Sequence, residues 1–202
     1  LALTFTNRAA DEMKERLQDL GDARERAFIG TLHGFCLDVL TERGKLVGVD
    51  DSPNIFEQYK DRKEVLEKAV EEDPFLSEEL GQIDDAKERR KRLDKWLAAI
   101  SHIKSHPITC AVVEDEVLNR ALEAYEAGMR ACNAYDFDDL LLLTYRLLVD
   151  NPKLGDLYRR LYKFVCIDEA QDMNEAQYSV ITALCSDTLH NVMMVGDPRQ
   201  SI

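Results

Sequence analysis

The chain has 202 residues, 45% of them hydrophobic and 32% charged. That length and mix fit one globular domain, or one domain carrying an insertion, and exclude a wholly disordered chain. The net charge of −13, from 26 basic and 39 acidic side chains, excludes a uniformly cationic nucleic-acid-binding surface.

Residues 2–5 (ALTF) are strand-like, and Asn7 is placed to cap a helix over 8–20, where Ala9, Ala10, Met13 and Leu17 recur at helical spacing. Gly21 closes that helix. Residues 28–30 read as a second strand. Thr31 then caps a helix to about 43, with Leu32, Phe35, Cys36, Val39 and Leu40 as its apolar stripe. Strand–helix–strand–helix is the grammar of a parallel α/β sheet. From 52 to 133 the periodicity is helical throughout, over 56–72, 74–80, 86–104 and 111–132, and no strand is read there. After Tyr135 the mixed pattern returns. Asp136 or Asp138 caps a helix to 148, residues 164–167 (FVCI) form a continuous apolar strand, and Asn174 caps a helix over 176–185. Residues 191–195 read as another buried strand, ending at Gly196-Asp197. The expected class is α/β with an inserted all-α subdomain, residues 1–51 and 134–202 forming one part and 52–133 the other.

Charge is unevenly spread. Residues 1–49 carry 7 basic and 8 acidic side chains, 50–90 carry 7 and 14, and 91–110 carry 4 and 1. A nucleic-acid groove therefore stays compatible with the negative total. The run 50–90 alone also suits an acidic helical interaction module. No window of 18 apolar residues predicts a membrane span. The opening LALTFTNRAADEMK lacks the pattern of a signal peptide, and its apolar start without Met reads as the interior of a longer protein. Five scattered cysteines without a CxxC fit buried thiols in a reducing cytoplasm, and scattered histidines give no zinc pattern.

Chemistry concentrates in a few strings. FVCIDEAQD, 164–172, ends a buried strand in two acids, which places them at the carboxyl edge of the sheet, where open α/β folds bind ligands. Asp168 suits a hydrated Mg²⁺ through one carboxylate, and Glu169 suits a water whose proton it accepts. Those are the two roles phosphoryl transfer needs. VMMVGDPRQSI, 192–202, brings Gln200 beyond a second strand end, within reach of a γ-phosphate or the attacking water; the bland reading is a turn. TFTNRAADEM, 4–13, offers Phe5, Thr6 and Asn7 for phosphate hydrogen bonds and base stacking, although Phe5 can equally be core and Asn7 only a cap. GTLHGFC, 30–36, sets His33 in the first turn of a helix, whose N-terminus favours phosphate. In AYDFDDLL, 134–141, acids at a helix start complement the dipole.

Together these strings resemble the UvrD/Rep-type superfamily 1 DNA helicases. TFTNRAADEM resembles motif Ia, TLHGF motif Ib, DFDDLL the motif between Ib and II, IDEAQD the Walker B motif II, and VGDPRQSI motif III. The resemblance implies the first RecA-like domain of an ATP-driven motor of P-loop NTPase type, with its helical insertion. Such a motor translocates on single-stranded DNA, usually 3′ to 5′, and separates duplexes at junctions. It implies ATP and Mg²⁺ as cofactors, Asp168 on the metal, Glu169 on the water, and Gln200 coupling the γ-phosphate to DNA movement. Phe5, Thr6, Asn7 and His33 then lie on the DNA side. Work in DNA repair, recombination or replication restart follows, with protein partners of such complexes and no membrane. The phosphate-cradling GxxxxGK[ST] does not occur within these residues, so the piece alone is expected to be inactive. Ala170 and Pro198-Arg199 lean toward RecB/AddA-like helicase–nuclease subunits. A non-catalytic DNA-binding remnant is the alternative outside the enzyme class.

Overall fold

The computed structural model describes residues 1–21, 26–49, 53–107, 113–185, 191–197 and 199. In chain order its elements are β1 (Ala2–Thr4), α1 (Asn7–Arg16), β2 (Ile29–Thr31), α2 (Leu32–Arg43), β3 (Asn54–Ile55), α3 (Tyr59–Glu72), α4 (Pro74–Gly81), α5 (Ala86–Ser105), α6 (Glu116–Ala131), β4 (Ala134–Tyr135), α7 (Phe137–Asp150), α8 (Pro152–Leu161), β5 (Val165–Ile167), α9 (Glu175–Cys185) and β6 (Val192–Met194). The chain forms two compact units, Leu1–Gly48 with Leu140–Ile202, and Val49–Asp139. Among the described residues no helix is long and apolar enough to cross a membrane.

The first unit is built on a four-stranded sheet of order β2-β1-β5-β6, parallel throughout, so the four expected strands share one sheet. Leu3 pairs with Gly30 on one side and Ile167 on the other, and Ile167 pairs in turn with Met194. Because every strand runs the same way, all four deliver the chain to one edge. Leu3, Ile29, Phe35, Val39, Val165, Ile167, Val180 and Ile181 are buried. Each such side chain contributes about 1.5–3 kcal/mol on burial. Thr31 caps α2 as expected, its Oγ1 accepting the Gly34 N–H at 3.1 Å. Asn174 caps α9 through a reciprocal pair, the Gln177 N–H donating to Asn174 Oδ1 and the Asn174 N–H to Gln177 Oε1, both at 2.9 Å.

Thr6, not Asn7, is the N-cap of α1: its Oγ1 accepts the Ala9 N–H, and Asn7 is the first helical residue. Both residue types cap well, and the strand's exit angle chooses between neighbours. Helix α1 stops at Arg16, and Gln18–Leu20 tighten into a 3₁₀ turn. Helix α8 was not anticipated. β6 is not a buried strand: Met193 and Met194 are exposed. Burial of the thiols holds fully only for Cys36. Cys166 and Cys185 are half-buried, Cys132 is exposed, and Cys110 lies outside the described residues.

The second unit is mainly helical, with a core of Leu66, Val70, Leu76, Leu93, Trp96, Leu97, Ile100, Ala121, Tyr125 and Met129. Asp73, Asp85 and Asp115 cap α4, α5 and α6 with their carboxylates. The part of the expected 111–132 helix before Val113 lies outside the described residues. The middle segment does contain a strand, contrary to expectation: β3 pairs in parallel with β4, in a sheet separate from that of the first unit. Two residues are too few for alternation to register, and the pairing partner lies some eighty positions away. Residues 134–139, expected with the α/β part, belong to this unit. They are held by the β3–β4 pairing and by ion pairs from Asp136 and Asp139 to Lys104.

Candidate functional site

At the carboxyl edge of the sheet the backbones of β5, β1 and β6 are laced together. The Asp168 N–H donates to the Leu3 carbonyl at 2.9 Å, so Asp168 is still pinned to β1 as the strand ends. The Val195 N–H donates to Ile167 O at 2.8 Å and the Ala170 N–H to Val195 O at 2.9 Å. Between these anchors Glu169 adopts a left-handed backbone, φ 53°, a conformation disfavoured for residues with a Cβ. That turn leaves Glu169 exposed and Asp168 half-buried. The Glu169 N–H donates to Asp168 Oδ1 at 3.1 Å, which orients the Asp168 carboxylate from one side.

This donor set fits magnesium. One oriented carboxylate at a strand end offers a hard oxygen ligand. Mg²⁺ is commonly held by one or two carboxylates together with waters and phosphate oxygens. Among the described residues no cluster of three or more His, Cys, Asp or Glu forms a closed protein cage for a metal ion, and an open phosphate site needs none. Gln200 lies outside the described residues. The turn that leads toward it does not: the Asp197 N–H donates to Gln171 Oε1 at 3.1 Å, and Gln171 Nε2 donates to Glu169 Oε2 at 2.7 Å. Sequence reasoning passed over Gln171, which stands in DEAQD only two residues from Glu169.

The residues expected on the DNA side fall on the same edge. Phe5 is 44% exposed, beyond the end of β1, so its ring is not core. Thr6 and Asn7 are exposed beside it. The Thr6 hydroxyl oxygen is engaged as the α1 cap. His33 sits in the first turn of α2, half-buried, and burial lowers its pKa, which favours the neutral ring. Phe5, His33 and Asp168 line one cavity of about 40 Å³, together with Thr4, Thr31 and Gln177. The strand ends thus bring Asp168 and two of the four DNA-side residues around one space.

The DFDDLL acids do more than start a helix. Asp139 N–H donates to Asp136 Oδ1 at 2.9 Å and Asp136 N–H to Asp139 Oδ2 at 3.1 Å, a capping box made of two aspartates. Lys104, only 4% exposed, reaches Asp136 at 2.8 Å and Asp139 at 2.6 Å. The Tyr125 hydroxyl donates to Asp136 Oδ2 at 2.9 Å, and Arg62 approaches the same oxygen at 3.5 Å. Burial opposes the charge on Asp136, yet the Lys104 ammonium holds its carboxyl below the usual range. Burial pushes Asp139 up to about 6. This is a structural ion network, and its lysine stands 32 positions before Asp136, out of reach of any local pattern.

A parallel sheet with two acids at its carboxyl edge, set beside a Gly-Asp strand end, is the arrangement at which open α/β folds bind ligands. The particular family follows from comparison. Residues 1–202 match the UvrD/REP helicase N-terminal domain, and the chain belongs to that family. It is 32% identical over 203 residues to a probable DNA helicase II homolog of Mycoplasma capricolum, covering all of this chain and 28% of that protein. It is 31% identical over 210 residues to the ATP-dependent DNA helicase PcrA of Staphylococcus aureus, covering 27% of it. With the ATP-dependent DNA helicase Rep of Salmonella typhimurium it shares 32% identity over 206 residues, 29% of that protein. The chain thus spans under a third of the length of these relatives.

Proposed function

We propose that this chain is the motif II-bearing part of an ATP-dependent DNA helicase, a motor that moves on single-stranded DNA, 3′ to 5′, and opens duplex junctions. Residues 1–48 and 140–202 form part of the RecA-like ATPase domain, and 49–139 form the inserted subdomain. The observation that carries the reading is the pair Asp168–Glu169 at the carboxyl edge of β5, with Phe5 and His33 around the adjoining cavity. Asp168 is the residue that holds Mg²⁺ with ATP, and that ion supplies charge neutralisation on the phosphate oxygens. Glu169, open to solvent and raised off the sheet by its left-handed backbone, orients the attacking water and takes its proton. Gln200 links the γ-phosphate to movement of DNA. Phe5 stacks a base, and Thr6, Asn7 and His33 contact the strand. The setting is cytoplasmic DNA repair, recombination or replication restart, alongside protein partners of those processes.

The test is Glu169→Gln in the full-length protein. The amide keeps the shape and cannot accept a proton. DNA-stimulated ATP hydrolysis should fall roughly 10²–10⁴-fold while ATP still binds. Turnover within about threefold of wild type would remove Glu169 from the base role.

A further inference from the structure

The base proposed above is not left to itself. Its carboxylate is met by a side chain that also grips the neighbouring strand end. Gln171 Nε2 donates to Glu169 Oε2 at 2.7 Å, and its Oε1 accepts the Asp197 N–H at 3.1 Å. A single amide, half-buried in a 3₁₀ turn over Ala170–Asp172, thus spans from motif II to the Gly-Asp turn after β6. Space at the far end is kept open by a glycine. A Cβ added at Gly196 would overlap Gln171 Oε1, and would lie 3.2 Å from the backbone nitrogens of Ala170 and Gln171. The overlap is with the amide oxygen that receives the Asp197 N–H, so Gly196 and Gln171 form one fitted unit.

We propose that Gln171 is a positioning residue for ATP hydrolysis: it holds the Glu169 carboxylate and ties it to the backbone of the β6 turn, so that displacement of that turn moves the base. The proposal rests on the reading of Glu169 as the base. The physical reason is local. Glu169 is exposed, on a long side chain with several rotamers, and sits on a strained backbone that packing alone does not steady. A charge-assisted hydrogen bond from a half-buried amide removes much of that freedom. The other end of the same amide is fixed to backbone rather than to another mobile side chain. Val195 is itself pinned to the end of β5 and the turn after it, through Val195 N–H to Ile167 O and Ala170 N–H to Val195 O. A shift at Asp197 is therefore passed to Glu169 through two hydrogen bonds and one rigid amide plane. Nearby Asp172 Oδ2 lies 3.5 Å from Gln171 Nε2, a weak second acceptor that keeps the donor on this side of the turn.

The test uses the full-length helicase, with steady-state ATP hydrolysis measured with and without saturating oligodeoxythymidine, and melting temperature recorded on every variant. Gln171→Met preserves length and packing and removes the amide. It should lower DNA-stimulated kcat roughly 10- to 100-fold, while KM for ATP stays within about threefold. Gln171→Glu keeps an acceptor for the Asp197 N–H and sets a second carboxylate against Glu169. It should lose at least as much as Gln171→Met, since the hold on the base is what it removes. Gly196→Ala should give the same loss by displacing the amide, and the Gln171→Met/Gly196→Ala double variant should fall no further than the worse single one. The proposal is overturned by wild-type kcat in Gln171→Met, by wild-type kcat in Gln171→Glu, by additive losses in the double variant, or by losses that track melting temperature alone. Glu169→Gln runs beside them. If it is inactive while Gln171→Met is normal, only the positioning role fails. If Glu169→Gln itself turns over normally, the reading of the base fails first.

Discussion

The two units handle carboxylates in opposite ways. In Val49–Asp139, Asp136 is 0% exposed and sits against a lysine that is itself buried, a tyrosine hydroxyl and an arginine. In the α/β unit, Asp168 and Glu169 stand at a strand end, half-buried and exposed, with hydrogen bonds from a backbone N–H and an amide. A buried carboxylate is tolerable only when paired, and once paired its charge is spent on holding helices together. An open carboxylate on a strained turn adds little to stability and stays within reach of solvent. Two acidic strings of similar appearance, DFDD and DEAQD, therefore belong to different kinds of chemistry.

The largest effect that sharpens this contrast comes from Lys104→Met. It leaves Asp136 and Asp139 buried without their ammonium and should cost about 3–5 kcal/mol in urea unfolding of this chain. Asp168→Asn, by contrast, should stay within about 0.5 kcal/mol of wild type. Equal losses in the two variants would erase the distinction. Next in size is Phe5→Ala in the full-length protein. Base stacking contributes about 1–3 kcal/mol, so affinity for single-stranded DNA should weaken by roughly one to two powers of ten. ATP binding without DNA should not change. Lost melting temperature with intact DNA affinity would return Phe5 to a packing role.

A smaller effect is read in pH. Folded Asp139 titrates at about 6, against an ordinary value of 3.8, because burial penalises its charge. Between roughly pH 4 and 6 the folded chain holds a proton that the unfolded chain has released, so this group's contribution to stability falls as pH rises through that window. Asp136, held below 3.8, acts in the other direction and only in more acid solution. Asp139→Asn should reduce the downward slope between roughly pH 4 and 6, while Asp138 and Asp38, also raised by burial, continue to contribute to it. An unchanged slope in the variant would assign the titration to another group. The smallest effect is Thr31→Ala, which removes the cap of α2 beside His33 and should cost about 1 kcal/mol in thermal or urea unfolding. No change would mean that the Gly34 N–H finds water at equal free energy.

What could be read locally was read from the sequence. Strand-length apolar runs gave way to helical periodicity at β1–α1 and β2–α2, and the Thr31 and Asn174 caps stood immediately before their helices. The DEAQD acids followed four apolar residues, which places them at a strand end in any parallel sheet. Gln171 stood in the same string and was missed, because its partner Asp197 is 26 positions away and its hydrogen bonds exist only when β5 and β6 are adjacent. Thr6 against Asn7 was undecidable for another reason: both cap well, and only the exit direction of β1 separates them.

The sequence by itself determined the parallel α/β class, the helical character of the middle segment and the positions of the motif acids, since each depends on residues within one or two turns of each other. Tertiary structure decided the rest. It set which acids are buried with Lys104 and which stay open, because desolvation depends on what packs above a group. It paired β3 with β4, whose hydrogen bonds join strands far apart in the chain. It also left Met193 and Met194 of β6 exposed, because an apolar run states that burial is favourable, and only what packs on the faces of the sheet provides it.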